Sequence, residues 1–206
     1  MLGLVILLVL AKISFFDSII YFVLNVVGGI FSPLLWNNLE VYQQKRLLAF
    51  LNPAIDPLAR GVRYHMVKAM IAVGSGGFWG KGFHQGPLTQ LRYIPQQHTD
   101  FVFSIIAEEF GFIGALLVVL LFAYIIYRLI NIALTSRDDF SALLVIGIAA
   151  MFLFQFLVNI GMNLGILPVV GIPLPFVSYG GSSLVMFFAA LGMVQSVLIR
   201  RSHLNF

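Results

Sequence analysis

Long apolar runs separated by polar segments set the plan of this chain. A first run, residues 2–10, is closed by Lys12 and is short for a bilayer crossing. After a turn around residues 14–17, further runs cover about 18–36, 101–126, 142–164 and 182–198. Each approaches the roughly 20 residues a helix needs to cross the hydrocarbon layer. The pattern predicts an all-α, polytopic membrane helix bundle with four full spans and one partial span. The partial run reads as a helix entered part-way. It lacks the basic n-region and small-residue cleavage site of a signal peptide. An N-terminally incomplete chain is therefore expected.

The segment 37–100 breaks the apolar pattern without becoming a featureless linker. LEVYQQKRLLAFLNP reads as a helix stopped at Asn52-Pro53. Val62, Met66, Ala69, Met70 and Val73 then recur at helical spacing, with Arg63 and Lys68 on other faces. Two placements fit that pattern: an amphipathic helix in the membrane interface, or one folded back onto the bundle. Next comes GSGGFWGKG, residues 74–82, whose glycines allow tight turns and close backbone approach. Lys81 suits a phosphate, but P-loop spacing and a preceding strand are both missing.

Composition narrows the class. The chain has 206 residues, 60% hydrophobic and 10% charged, with a mean hydropathy of +1.00. That is a membrane composition. With no cysteine, disulfides are excluded. The net charge of +4 fits membrane topology and lipid headgroup contact, and no basic run interleaved with aromatics suggests nucleic acid. Lys12, Arg128, Arg137, Arg200 and Arg201 fall on one side of an alternating path. That side is expected to be cytoplasmic. Segments 37–100 and 165–181 then face outward.

The candidate chemistry concentrates in 95–111, PQQHTDFVFSIIAEEFG. His98, Thr99 and Asp100 stand at a helix mouth, with Glu108 and Glu109 about two turns inside. Acids at membrane depth are costly and mark functional sites. On a continuous wheel Asp100, Ser104, Ala107, Gly111 and Gly114 share one line. Glu108 lies about 80° away and Glu109 on the opposite side. Two readings of Asp100 remain open. It caps the helix, which would keep it ionised and a weak base, or it performs proton transfer. His98 is equally open between a proton relay and an ordinary loop residue.

Gln155, Asn159 and Asn163 form a polar stripe at i, i+4 and i+8. Interhelical hydrogen bonding is its expected role, ahead of substrate contact. GILPVVGIPLPFVSYGGSS, residues 165–183, follows with three prolines and paired glycines. A broken helix of this kind belongs inside protein or beside a cavity, where it can hold a polar substrate group. His65, His84, His98 and His203 form no metal-ligand spacing. No cofactor is expected, and the sequence indicates no divalent cation.

IPQQHTDFVFSIIAEEFGFIG, SGGFWGKGF and VNIGMNLGILPVVGIPLPFVSYGGSS, in that order, resemble the SEDS family of bacterial membrane glycosyltransferases. NIGM with PVVGIPLPFVSYGG is more similar to its rod-shape elongation branch than to its division branch. The resemblance covers nearly the whole chain. It implies about ten spans, of which these are the last five, and makes 37–100 the large extracellular loop of a plasma-membrane protein. It implies polymerisation of lipid II into peptidoglycan glycan strands. Asp100 would be the general base on the acceptor sugar 4-hydroxyl. The oxygen then attacks the donor's anomeric carbon and expels undecaprenyl diphosphate. Class B penicillin-binding proteins, the crosslinking transpeptidases, are the implied partners.

Arg46 and Lys81 match family motif positions among the loop cations Arg46, Arg63, Lys68, Lys81 and Arg92. The expected substrate-binding set is Arg46, Lys81, His98, Thr99, Glu108, Ser178, Gly180 and Gly181. The chain departs from the family at Gln96, where a glutamate is common, and at Lys68-Ala69. It also lacks the motifs of the family's first half. The alternatives are a lipid II transporter, a non-catalytic transpeptidase scaffold, and an inactive fragment.

Overall fold

The computed structural model describes residues 29, 31, 33, 36–56, 61, 63–86 and 99–202. The expected runs 2–10 and 18–36 lie largely outside these residues, as do Arg92 and His98. The chain divides into two units, Met1–Leu48 and Ala49–Phe206. Each is described by itself.

The first unit carries most of helix α1, Val41–Leu51. Gln44 Nε2 ties its start by donating to Trp36 O at 2.8 Å and Leu39 O at 3.2 Å. Arg46 lies over the Tyr42 ring, 4.2 Å from its centroid, and its guanidinium also donates to the Tyr42 hydroxyl. Past the end of α1, Asn52 Oδ1 accepts from Ala54 N–H at 3.1 Å and opens a 3₁₀ turn at Pro53–Ile55. That is the predicted stop.

The second unit holds α2 (Tyr64–Ser75), α3 (Val102–Leu134), α4 (Asp139–Asn163) and α5 (Gly181–Ser202). Every described element is helical. Among the described residues, α3, α4 and α5 are long and apolar enough to cross a membrane, with mean hydropathies of 2.5, 2.4 and 2.0. The chain is a multi-pass membrane protein. Apolar residues surround these helices on all sides, as lipid on one flank and protein on the other require. Leu117, Leu120, Leu121 and Phe188 are exposed on these helices.

One core joins the three long helices, through Leu129, Ala133, Val145, Phe152, Phe187 and Val194. Phe152 lies 5.4 Å from Phe176 and 5.6 Å from Phe187, ring to ring. Because lipid is as apolar as these rings, close packing and hydrogen bonds hold the helices more than burial does. Helix α2 packs on α3 and α4, burying Met66, Ala69 and Ala72. The folded-back placement is the one observed, with Ala69 and Ala72 against Phe101.

Helix boundaries differ from the apolar runs. Helix α3 continues to Leu134, so Arg128 lies within the helix and not in a loop. Backbone hydrogen bonding carries a helix past the end of its apolar stretch. At α4 the Asp138 carboxylate accepts from Ser141 N–H at 2.8 Å and Ser141 Oγ at 2.9 Å, a side-chain cap.

The largest correction is inside α3. Gly111 has φ 67° and ψ −160°, so two helical stretches meet at a kink. The continuous wheel fails there, and Asp100 precedes the helix rather than sharing its face. Glu109, expected to point away from the site, is only 5% exposed.

The glycine-rich segment repairs the broken ladder. Lys81 N–H donates to Glu108 O and Gly82 N–H to Glu109 O, both at 3.0 Å. Phe112 N–H and Ile113 N–H donate back to Gly77 O and Phe78 O. Such contact needs bare backbone: a Cβ at Gly80 would lie 2.1 Å from Glu109 O, and one at Gly76 would lie 1.9 Å from Ala107 O. The Lys81 and Gly82 N–H groups thus serve the helix, not a phosphate.

Candidate functional site

Asp100 sits at the mouth of α3, two residues before its first helical residue. It belongs to the side-chain class that caps helices. Yet Phe101 occupies the cap position, and no side-chain cap bond comes from it. No described residue hydrogen-bonds to or pairs with the Asp100 carboxylate. The cap reading fails. The carboxylate lies beside Gly171, where a Cβ would come 3.3 Å from Asp100 Oδ2. Gly171 has φ 81°, a conformation that suits glycine.

The backbone at Asp100 is held instead. Asn159 Nδ2 donates to Asp100 O at 3.0 Å and to Ile172 O at 2.8 Å. Asn163 Nδ2 donates to Asp100 O at 3.2 Å, while its Oδ1 accepts from Ser104 N–H at 3.2 Å. One residue earlier, Ser178 Oγ donates to Thr99 O and accepts from Leu174 N–H at 2.7 Å. The broken segment 165–180 is thereby fastened to the α3 mouth. At the end of α4, Gly165 turns the chain with φ 73°, and Ile166 and Leu167 N–H donate to Gly161 O.

The expected substrate contacts divide. Gly180 and Gly181 line a cavity of about 720 Å³, with Val102, Phe176, Tyr179 and Leu184. Ser178 also lines it, but its hydroxyl is engaged with the two backbone groups above. Thr99 is half-buried. Lys81 Nζ lies 3.1 Å from Glu108 Oε1 and 2.7 Å from Ser75 Oγ. Glu108 is fully buried beneath Gly86 and pairs with Lys81. Arg46 belongs to the other unit and stacks on Tyr42. Arg63 donates to Pro53 O and Asp56 O, and Lys68 sits over Tyr64.

The polar stripe was expected to bond between helices: Asn163 does, at Ser104 N–H of α3, while Asn159 donates to the carbonyls of Asp100 and Ile172 outside the helices. What the sequence concealed was their target, the peptide oxygen of Asp100. No group of three or more metal-ligating side chains occurs among the described residues.

A family model described as cell cycle protein, covering FtsW, RodA and SpoVE, matches residues 1–203. The chain belongs to the FtsW/RodA/SpoVE family. Among curated members of that family, the peptidoglycan glycosyltransferase RodA of Treponema pallidum is 45% identical over 79% of this chain and 37% of the relative. The peptidoglycan glycosyltransferase MrdB of Escherichia coli is 42% identical over 87% of this chain and 48% of the relative. The chain thus spans less than half the length of these relatives. A solved structure described as a peptidoglycan synthase complex, coordinating polymerisation and crosslinking, superimposes with a TM-score of 0.63. It is 37% identical and covers 87% of this chain and 50% of that one.

Proposed function

We propose that this chain carries the catalytic base of a peptidoglycan glycosyltransferase that polymerises lipid II during cell elongation. The observation that carries the reading is half-buried Asp100 at a helix mouth, its carboxylate unengaged among the described residues and its backbone held by buried side chains. In this reading the acceptor sugar's 4-hydroxyl gives its proton to Asp100 as its oxygen attacks the donor's anomeric carbon. The bond to undecaprenyl diphosphate breaks, and the leaving group takes the electron pair. Fixed cations or N–H groups stabilise the charge that develops on the diphosphate. Lys81 is the cation whose position is most defined, because Glu108 anchors it.

The cavity lined by Phe176, Tyr179, Gly180 and Gly181 opens beside Val102, the first residue of α3, and segment 37–100 is the extracellular loop in this reading. Exposed Phe78, Trp79 and Phe83 suit the level of the membrane interface. The partner is a class B penicillin-binding protein, in keeping with the polymerising and crosslinking complex to which the fold is similar. A transporter would need a polar path through the bundle. Asn159, the natural member of such a path, is fully buried and bonded to backbone carbonyls.

The test is to reconstitute the intact protein in vesicles containing lipid II, with no other polymerase. Glycan strands on a gel support the reading. Movement of lipid II between leaflets without strands would replace it with transport.

A further inference from the structure

Two asparagines in the apolar helix α4 converge on one carbonyl oxygen, that of Asp100. We infer that Asn159 and Asn163 are positioning residues that fix the backbone of Asp100, and that Asn163 takes over the capping role that would otherwise engage its carboxylate. The inference rests on the proposed role of Asp100 as base.

A peptide oxygen offers two lone pairs. Here Asn159 Nδ2 at 3.0 Å and Asn163 Nδ2 at 3.2 Å both approach that oxygen. Both side chains are fully buried within an apolar helix, where an unbonded amide would be costly. The pair is braced internally as well, since Asn163 Nδ2 donates to Asn159 O at 2.8 Å and Asn159 Oδ1 at 3.2 Å. Holding the carbonyl limits rotation of the peptide unit, and with it the direction of the Asp100 Cα–Cβ bond.

The cap is the second half of the argument. The first N–H groups of a helix lack partners within it, and a nearby Asp commonly supplies one. In this fold Asn163 supplies the side-chain acceptor, at Ser104 N–H, from 59 residues away. Asp100, the local residue of the capping type, is left facing Gly171. General interhelical adhesion would be satisfied by bonds to any backbone group. Convergence on the residue proposed as base, together with a distant cap, is what singles out positioning.

The experiment uses the intact protein in lipid II vesicles, with initial rates and melting temperatures measured over a range of pH. Asn163→Ala should lower kcat about 100-fold, the scale expected of a misplaced reactive group. KM for lipid II should change by less than about threefold, since binding contacts are untouched. Asn163→Asp keeps the volume of the side chain. While protonated, the new carboxyl can still donate to Asp100 O and accept from Ser104 N–H, and burial favours that form. Its rate, read well below the melting temperature at each pH, should approach wild type at the acidic end and fall as pH rises. The melting temperature falls over the same range, because a carboxyl that burial keeps protonated loses stability as it ionises.

Asp100→Asn is measured alongside. If it is inactive while both Asn163 variants run at the wild-type rate, the positioning role is overturned and the base remains. Losses that vanish when each variant is assayed well below its melting temperature would overturn it too. If Asp100→Asn keeps the wild-type rate, the base assignment falls, and this inference with it.

Discussion

Lys81 Nζ lies 3.1 Å from Glu108 Oε1, with the carboxylate fully buried and the lysine side chain 28% exposed. An ion pair of this kind is a poor source of stability but is damaging to break, because the buried charge is stranded. Lys81→Met should therefore destabilise the protein by about 3 kcal/mol. The double change Lys81→Met with Glu108→Gln should recover part of that loss. Thermal unfolding in detergent across the four variants gives the coupling. Additive losses would mean that the two side chains do not depend on each other.

The kink at Gly111 makes a separate claim. With φ 67°, and a Cβ that would lie 2.3 Å from Gly80 N, Gly111→Ala meets backbone that cannot yield cheaply. We expect a loss of at least about 2 kcal/mol, in line with other large strain effects. Gly147→Ala is the control, since nothing lies within 4 Å of a Cβ there and the residue is within α4. It should be neutral, or stabilising by up to about 1 kcal/mol. Equal effects at the two positions would contradict the loop-to-kink contact.

At the start of α4, the Ser141 backbone N–H, then its hydroxyl, holds Asp138 below its ordinary carboxylate value. A depressed folded-state value adds stability above the unfolded value, about 3.9, which is lost as pH falls through the folded one. Protection of the Ser141 amide, corrected for its intrinsic exchange rate, should be level near neutral pH and fall only below about pH 4. Asp138→Asn keeps an acceptor with no proton to gain, so its exchange should lose that acid-dependent step. A step that persists in the variant would assign it to another group.

Much of the fold could be read from residue pattern, for physical reasons. Three apolar runs became α3, α4 and α5 because lipid demands helix where the chain is apolar. Asn52-Pro53 stopped α1, since proline lacks the N–H that a continuing helix needs. The ends were harder. Arg128 looks like a span terminus by charge, yet α3 runs to Leu134, because hydrogen bonding is indifferent to hydropathy there.

The candidate site was legible in its proposed base and illegible in the contacts around it. Asp100 stood out as an acid at a helix mouth within a recognisable motif. The side-chain acceptor at Ser104 N–H is Asn163, and the kink beside Glu108 packs against Gly80, each distant in sequence. No local period encodes contacts of that span. Ser178 shows the same limit: nothing local announces that its hydroxyl joins Thr99 O to Leu174 N–H.

The rate of lipid II polymerisation by Asp100→Asn, measured in the intact reconstituted protein beside wild type, tests the central claim most directly. The amide keeps the size of the carboxylate but cannot accept the hydroxyl proton. A fall of about 10²–10⁴-fold, with folding and lipid II binding unchanged, is the predicted result. A rate within a few-fold of wild type would contradict the account.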